Sequence, residues 1–376
     1  MSVYPGFIGP TNNLASPSVD SEETRNWFLE MSAPGTGKAP AWLAPAPGYE
    51  PFVVLNDGPV RALFSQDGRC FAVGATGFYE INSTHTASLL GTVALDGRPA
   101  TICSNGSAGH QLFITSGGLG YTFDLITNLL TPITDPNFPN PCTMGCFIDG
   151  YFLALLGQSN TFYWSSLEDG TTWNALDVAQ LSQSSDYILS MFPVYGQLWL
   201  LGSKTGVVWA DIGGATIFAP IPGSLMQVGT RAAFSFWVGD NASFWLGGND
   251  QGDGIVYRGT GVGSAPTRIS THAIEYRLSQ SNRLENCLGW GYQENGHTFY
   301  SLLVPDLDTT YTYDAATQQW HSRDFWDPVT LENIPDVVRC HTFCFGQHLV
   351  GDRESGAVYV QDYNLATTTL VQMGAG

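Results

Sequence analysis

The 376 residues carry 33 acidic side chains against 14 basic ones, a formal net charge of -19, and combine 13% aromatic residues with only 12% charged ones. At 43% hydrophobic content the chain is too apolar to be disordered and long enough to bury the core of one large domain or two ordinary ones. The acidic balance argues against tight, phosphate-neutralising binding of nucleic acid, and no apolar run reaches the roughly 18 residues of a membrane-spanning helix.

The chain opens with residues 1–50, rich in Pro, Ser, Gly and Asn and poor in β-patterned runs. They are read as an extended Pro/Gly-rich arm with one helical turn at 21–25. No basic stretch followed by an apolar one opens the sequence, Arg25 being the first cation, so no secretory signal is read. Seven dispersed cysteines, an odd number, do not make a disulfide framework. A soluble protein folded in a reducing cytoplasm, with no membrane partner, is expected.

Residues 51–376 have a uniform texture of short apolar runs separated by Gly, Asn and Asp turns, which is an all-β pattern. One aromatic-centred strand recurs, as GFYEI, GYTFDL, TFYWSSL, GVVWADI, GIVYRG, TYTYDAA and AVYVQDY. A second apolar strand precedes each: CFAVG, HQLFITS, YFLALLG, QLWLLG, SFWLGG, TFYSLLV and HLVGD. The roughly 40–55-residue period is that of four-stranded propeller blades. Seven units are read, beginning near Arg61, Ala100, Thr143, Asp186, Thr230, Arg283 and Val337, with PFVVLN (51–56) supplying the last outer strand and closing the ring. Six blades with an appendage is the alternative count. The fold class is thus an all-β propeller of four-stranded antiparallel sheets with an N-terminal arm.

Candidate chemistry is thin. SSLEDGTTW, ending at Trp173, approximates the Asp-box hairpin, with Glu168 in the place of its Asp and a glycine expected at positive φ; that box is a turn device. The acidic pairs Glu168/Asp169, Asp250/Asp253 and Asp306/Asp308 sit in turn-like sequence, and spacing alone does not set a glycosidase separation. Cys340, His341, Cys344 and His348 are poorly spaced for zinc, because a strand puts the cysteines on one face and His341 on the other. GTGK (35–38) lacks the first glycine and the Ser/Thr of a phosphate loop and runs into Pro40. No catalytic, cofactor-binding or metal-binding residue is assigned, no cofactor is expected, and an enzyme is not.

Several segments resemble one known family. FIGP (7–10), RNWFLE (25–30), GTGKAP (35–40) and PAPG (45–48) are similar to the arm of the packaged-DNA stabilisation or tail-hub (nozzle) proteins of short-tailed bacteriophages. GQLWLLGSKTGVVWADIG (196–213), TRISTHAIE (267–275), GHTFYSLLVP (296–305) and TYTYDAATQQWHSR (310–323) resemble segments of the same family, TRISTHAIE most specifically. Gly206 stands where that pattern usually has an acid, and Ser322 where it has Glu. The resemblance implies a structural virion protein of the tail, made in the host cytoplasm. It implies a homo-oligomeric ring of about six copies below the portal and adaptor proteins. Such a ring extends the DNA channel and helps retain the packaged genome. Double-stranded DNA would pass without sequence-specific binding, and tail fibre, spike or plug proteins would attach. The competing readings are a carbohydrate-binding or glycoside-hydrolase propeller and a cytoplasmic interaction scaffold.

Overall fold

The computed structural model describes residues 9–16, 21–32, 39–182, 186–214, 216–249, 251–261, 265–327 and 331–365. It is a seven-bladed β-propeller. Blade 1 runs over 62–92, blade 2 over 101–132, blade 3 over 142–180, blade 4 over 188–220, blade 5 over 229–268 and blade 6 over 288–335. Blade 7 joins three strands from 338–362 to the N-terminal strand Gly48–Val54, with Tyr49 opposite Gln361 and Glu50 opposite Val360. The ring is therefore closed by pairing the two ends of the propeller sequence, as PFVVLN was expected to do, but the closing strand starts at Gly48 rather than 51.

The local chemistry explains the regularity. Second strands such as Gln197–Gly202 are buried along nearly their whole length, since a neighbouring blade covers each face, and so read as continuous apolar runs. Outer strands such as Ala87–Thr92 are mostly exposed and leave a weak signal. In six blades the first and second strands are joined through a pair of positive-φ residues, among them Asp67-Gly68, Asp149-Gly150 and Asn295-Gly296. Two such residues in succession give the turn whose twist matches antiparallel strands. Blade 2 uses a short helical turn, Gly106–Gly109, instead.

The core is divided into seven apolar clusters, each filling the seam between two adjacent blades. Phe71, Phe78 and Phe123 join blades 1 and 2, for example, and Trp199 and Trp245 join blades 4 and 5. Cys70 and Cys344 sit in the seam between blades 7 and 1, and Cys142 in that between 2 and 3. All seven cysteines are unpaired, and burial pushes the Cys142 and Cys340 thiols up to about 12, making them packing residues rather than thiolates.

Two local expectations are corrected. Residues 21–25 form no helical turn: Ser21–Glu22 is extended and pairs with Asn12–Asn13, and Thr24 is tied to Thr11 through that residue's hydroxyl. In the SSLEDGTTW hairpin the left-handed residue is Glu168 (φ 57°), not a glycine, and Asp169 takes the hydrogen bonds of the Thr171 and Thr172 hydroxyls. Trp173 does pack beneath, against Phe113 and Phe138 of the blade 2 side. A Cβ at Gly206 would lie 2.7 Å from Leu201 Cδ2 and 2.8 Å from Met226 Cε, the movable ends of two side chains.

Candidate functional site

The arm is seated on the outer edge of blade 6. Trp27–Met31 pairs with Ala41–Pro45 as a hairpin, and the chain leading into it runs beside the strand Gln319–Asp327. Thr11 N–H donates to Trp320 O and Asn26 N–H to Ser322 O, both at 2.8 Å, while Ser322 N–H donates to Thr24 O at 2.9 Å. The buried Ser322 hydroxyl also donates to Thr24 O at 3.3 Å. Arg25 is ion-paired with Asp324, whose other oxygen accepts from the Asn26 side chain at 2.9 Å.

Beneath the hairpin, Phe28 is buried against Phe299, His297 and His321. The two histidines play opposite electrostatic parts. His297 faces a carboxylate through each ring nitrogen: Nδ1 lies 2.8 Å from Asp314 and Nε2 lies 2.7 Å from Glu30 of the arm. Two acceptors call for two donors, hence an imidazolium. The Asp314 hydrogen bond, reinforced by both charges, raises its pKa above 6.5 against the effect of burial. His321 is pushed down to about 3 by burial and by neighbouring Arg323, and stays neutral.

These signs fix a pH dependence. The His297 latch is complete below 6.5, the unfolded value, and is lost as pH rises through the raised folded value. His321 acts on the other side, because below 6.5 the released form takes a proton that the docked form refuses until about 3. Thermal unfolding followed from about pH 5 to about pH 9 is expected to show a stability loss on the alkaline side. The His297→Gln variant should lack that loss, and an unchanged profile in the variant would exclude the latch.

The arm's second fastening lies at the seam with blade 7. Arg323 pairs with Asp336 at 3.3 Å, both side chains being 4% exposed, and donates to Pro47 O at 2.8 Å. Its guanidinium covers the Tyr49 ring at 5.1 Å, and the Tyr49 hydroxyl donates to Asp336 at 2.6 Å. On the blade 5 side, Trp320 Nε1–H donates to Ile269 O at 2.8 Å. Ile269 opens the turn into the helix His272–Leu278, whose first turn is capped by Thr271. Glu275 binds Arg268 and accepts from the Ser270 hydroxyl at 2.6 Å, and that hydroxyl accepts from Val256 N–H of blade 5 at 3.0 Å.

RNWFLE, PAPG, TRISTHAIE, GHTFYSLLVP and TQQWHSR, scattered over some 300 residues, therefore meet in one arm seat. GQLWLLGSKTGVVWADIG does not: it is the central hairpin of blade 4, whose turn is held by Asp186 accepting from Lys204 and Thr205 N–H. GTGK and the first half of FIGP lie outside the described residues, as do Asp250 and the Asp253 side chain.

The remaining candidates are absorbed by local structure. Asp306 accepts from the Ser281 hydroxyl and Asn282 N–H, and Asp308 occupies a left-handed helix cap. His341 and His348 bond each other at 2.9 Å. Among the described residues no group of three or more His, Cys, Asp or Glu side chains is placed to hold a metal ion. The propeller axis holds a cavity of about 550 Å³ walled by first strands of all seven blades. It is a small-molecule volume.

Residues 25–366 match the family model described as bacteriophage P22 Gp10, beta-propeller. The chain belongs to this family. No curated protein matches the sequence. Among solved structures, this family member is similar to the extracellular domain of a putative hybrid two-component system from B. thetaiotaomicron (8% identity, TM-score 0.57), covering 85% of this chain and 40% of that one. It is also similar to virginiamycin B lyase from Staphylococcus aureus (10% identity, TM-score 0.54), with 84% and 98% covered. The chain thus spans well under half the length of the first of these. At such identities the likeness is one of fold. No helix among the described residues of this phage propeller is long and apolar enough to cross a membrane.

Proposed function

We propose that this chain is a non-catalytic structural component of a short phage tail. Copies of it form a ring below the portal and adaptor, prolong the DNA channel, help hold the packaged genome and carry fibre, spike or plug proteins. The observation carrying this reading is the family match over residues 25–366. Two physical features support it.

The arm hairpin presents Trp27 (47% exposed), Met31 (54%) and Trp42 (48%), and Trp326 (52%) lies across a shared pocket from Trp27. Trp27 and Met31 share an uncharged face of the hairpin with Leu29 and Leu43, the composition of an interface core, while Trp42 stands opposite Glu30 on the other face. Seven of the twelve arginines are also spent internally. Arg25, Arg61, Arg69, Arg258, Arg268, Arg323 and Arg353 each pair with a carboxylate of the same chain. A -19 subunit whose arginines are neutralised in this way suits a wall along which DNA slides without sticking.

Mass photometry of the purified chain is expected to show a ring-sized species of about six copies, and Trp27→Ser with Met31→Ser to reduce it to monomers. A native chain that stays monomeric at every concentration, with or without portal and adaptor proteins, would contradict the ring.

A further inference from the structure

The axial cavity runs against the charge of the rest of the molecule. In a chain with 33 acidic residues, none of the described residues lining it is Asp or Glu, whereas Arg61 and Arg339 both line it. Its walls are apolar and largely aromatic, with Phe64, Ile102, Phe147, Phe192, Phe236 and Trp237 contributed by five blades.

The two guanidiniums differ in what they have left to offer. Arg61, whose side chain is fully buried, is committed to Gly74 O, Ala94 O, Arg98 O and the Ser116 hydroxyl at 2.6–3.2 Å. Arg339 donates through Nη2 to Gly97 O at 2.9 Å, and its buried Nε–H has no acceptor in the protein. Asp96 lies 3.5 Å from Arg61 and acts on both cations, and Asp57 and Tyr121 also act on Arg61. The remaining titratable neighbours are Cys340 and His341; burial and His348 push His341 down to about 3, so it is neutral. A cavity walled mainly by apolar side chains, with two arginines and no carboxylate among its described lining residues, is complementary to one ligand chemistry.

We propose that the axial cavity is a binding site for an apolar carboxylate, its aliphatic or aromatic body enclosed by the phenylalanine walls and its carboxylate accepting from Arg339. The cavity's 550 Å³ fits a body of about ten carbons, within the usual range for small-ligand pockets. The same chemistry is offered by a free fatty or aromatic acid and by the C-terminal carboxylate of a protein chain ending in apolar residues.

Calorimetric titration of the full chain with decanoate and with decanol separates charge recognition from apolar partition. Decanoate is expected to bind at least about tenfold more tightly, the worth of a charge-assisted hydrogen bond in a desolvated site. Arg339→Gln should remove that advantage and leave decanol binding unchanged, and Arg339→Lys should retain most of it. A hexapeptide with an apolar, free C-terminus is compared with its amide: preference for the free acid over both the amide and decanoate identifies a chain terminus as the ligand, and binding of decanoate alone identifies a free acid. Equal affinity for decanoate and decanol in the native chain, or no binding of any probe, would overturn the assignment whether or not the variants fold.

Discussion

Replacing Arg323 with Ala is expected to lower the unfolding free energy by about 3–5 kcal/mol, because it leaves Asp336 buried without a counter-charge. Both side chains are 4% exposed and 3.3 Å apart. The pair lies where blade 6, blade 7 and the arm meet, so the loss falls on the propeller seam and on the Pro47 anchor together. Among the described residues, Asp336 would keep the Tyr49 hydroxyl and Val338 N–H as neutral donors. The double replacement Arg323→Met, Asp336→Leu should cost less than Arg323→Ala, since no charge is then stranded. Urea denaturation of the three proteins measures this, and a single-variant loss below about 1 kcal/mol would place the pair among solvated ion pairs instead.

Removal of residues 1–46 should leave a propeller that unfolds cooperatively, whereas removal of residues 1–56 should abolish cooperative unfolding. The difference is residues 47–56, which hold the Pro47 anchor, the closing strand Gly48–Val54 and Leu55. Phe52, Val53 and Leu55 fill the seam between blades 7 and 1, and burying each is worth about 1.5–3 kcal/mol. Without them the strand Ala357–Asp362 becomes an open edge, and the ring loses the only sequence-distant join among its described blades. Scanning calorimetry distinguishes the two truncations, and a cooperative transition in the shorter protein would show that blade 7 stands without its N-terminal strand.

How much of this is visible in the sequence depends on whether the relevant physics is local. Seven units are legible because each second strand is buried on both faces and each third strand carries an aromatic into a seam, so YFLALL and TFYW read alike in every blade. The closing strand is legible because PFVVLN is an apolar run left over by the count, although its start at Gly48 is set by pairing with Asp362, far away in the chain. The arm is illegible as structure. Asn12–Asn13 and Ser21–Glu22 have no strand propensity to speak of and are extended because they are held by each other and by the outer edge of blade 6.

His297 and Glu30 are 267 residues apart, and nothing in either neighbourhood announces the other. The structure brings RNWFLE and WHSR, both lying largely in strands, into one seat. The positive φ at Glu168 was hidden for the converse reason, as Gly170 is required for packing rather than for conformation: a Cβ there would meet Phe152 at 3.0 Å.

Whether this propeller joins a tail decides its function. The direct measurement is co-sedimentation of the purified chain with DNA-filled heads that carry portal and adaptor but no tail, followed by nuclease digestion of any DNA that escapes. Stable association with these heads, together with retention of a genome that untreated heads release, is the predicted result. Heads that neither bind the chain nor keep their DNA in its presence would contradict the tail-hub function.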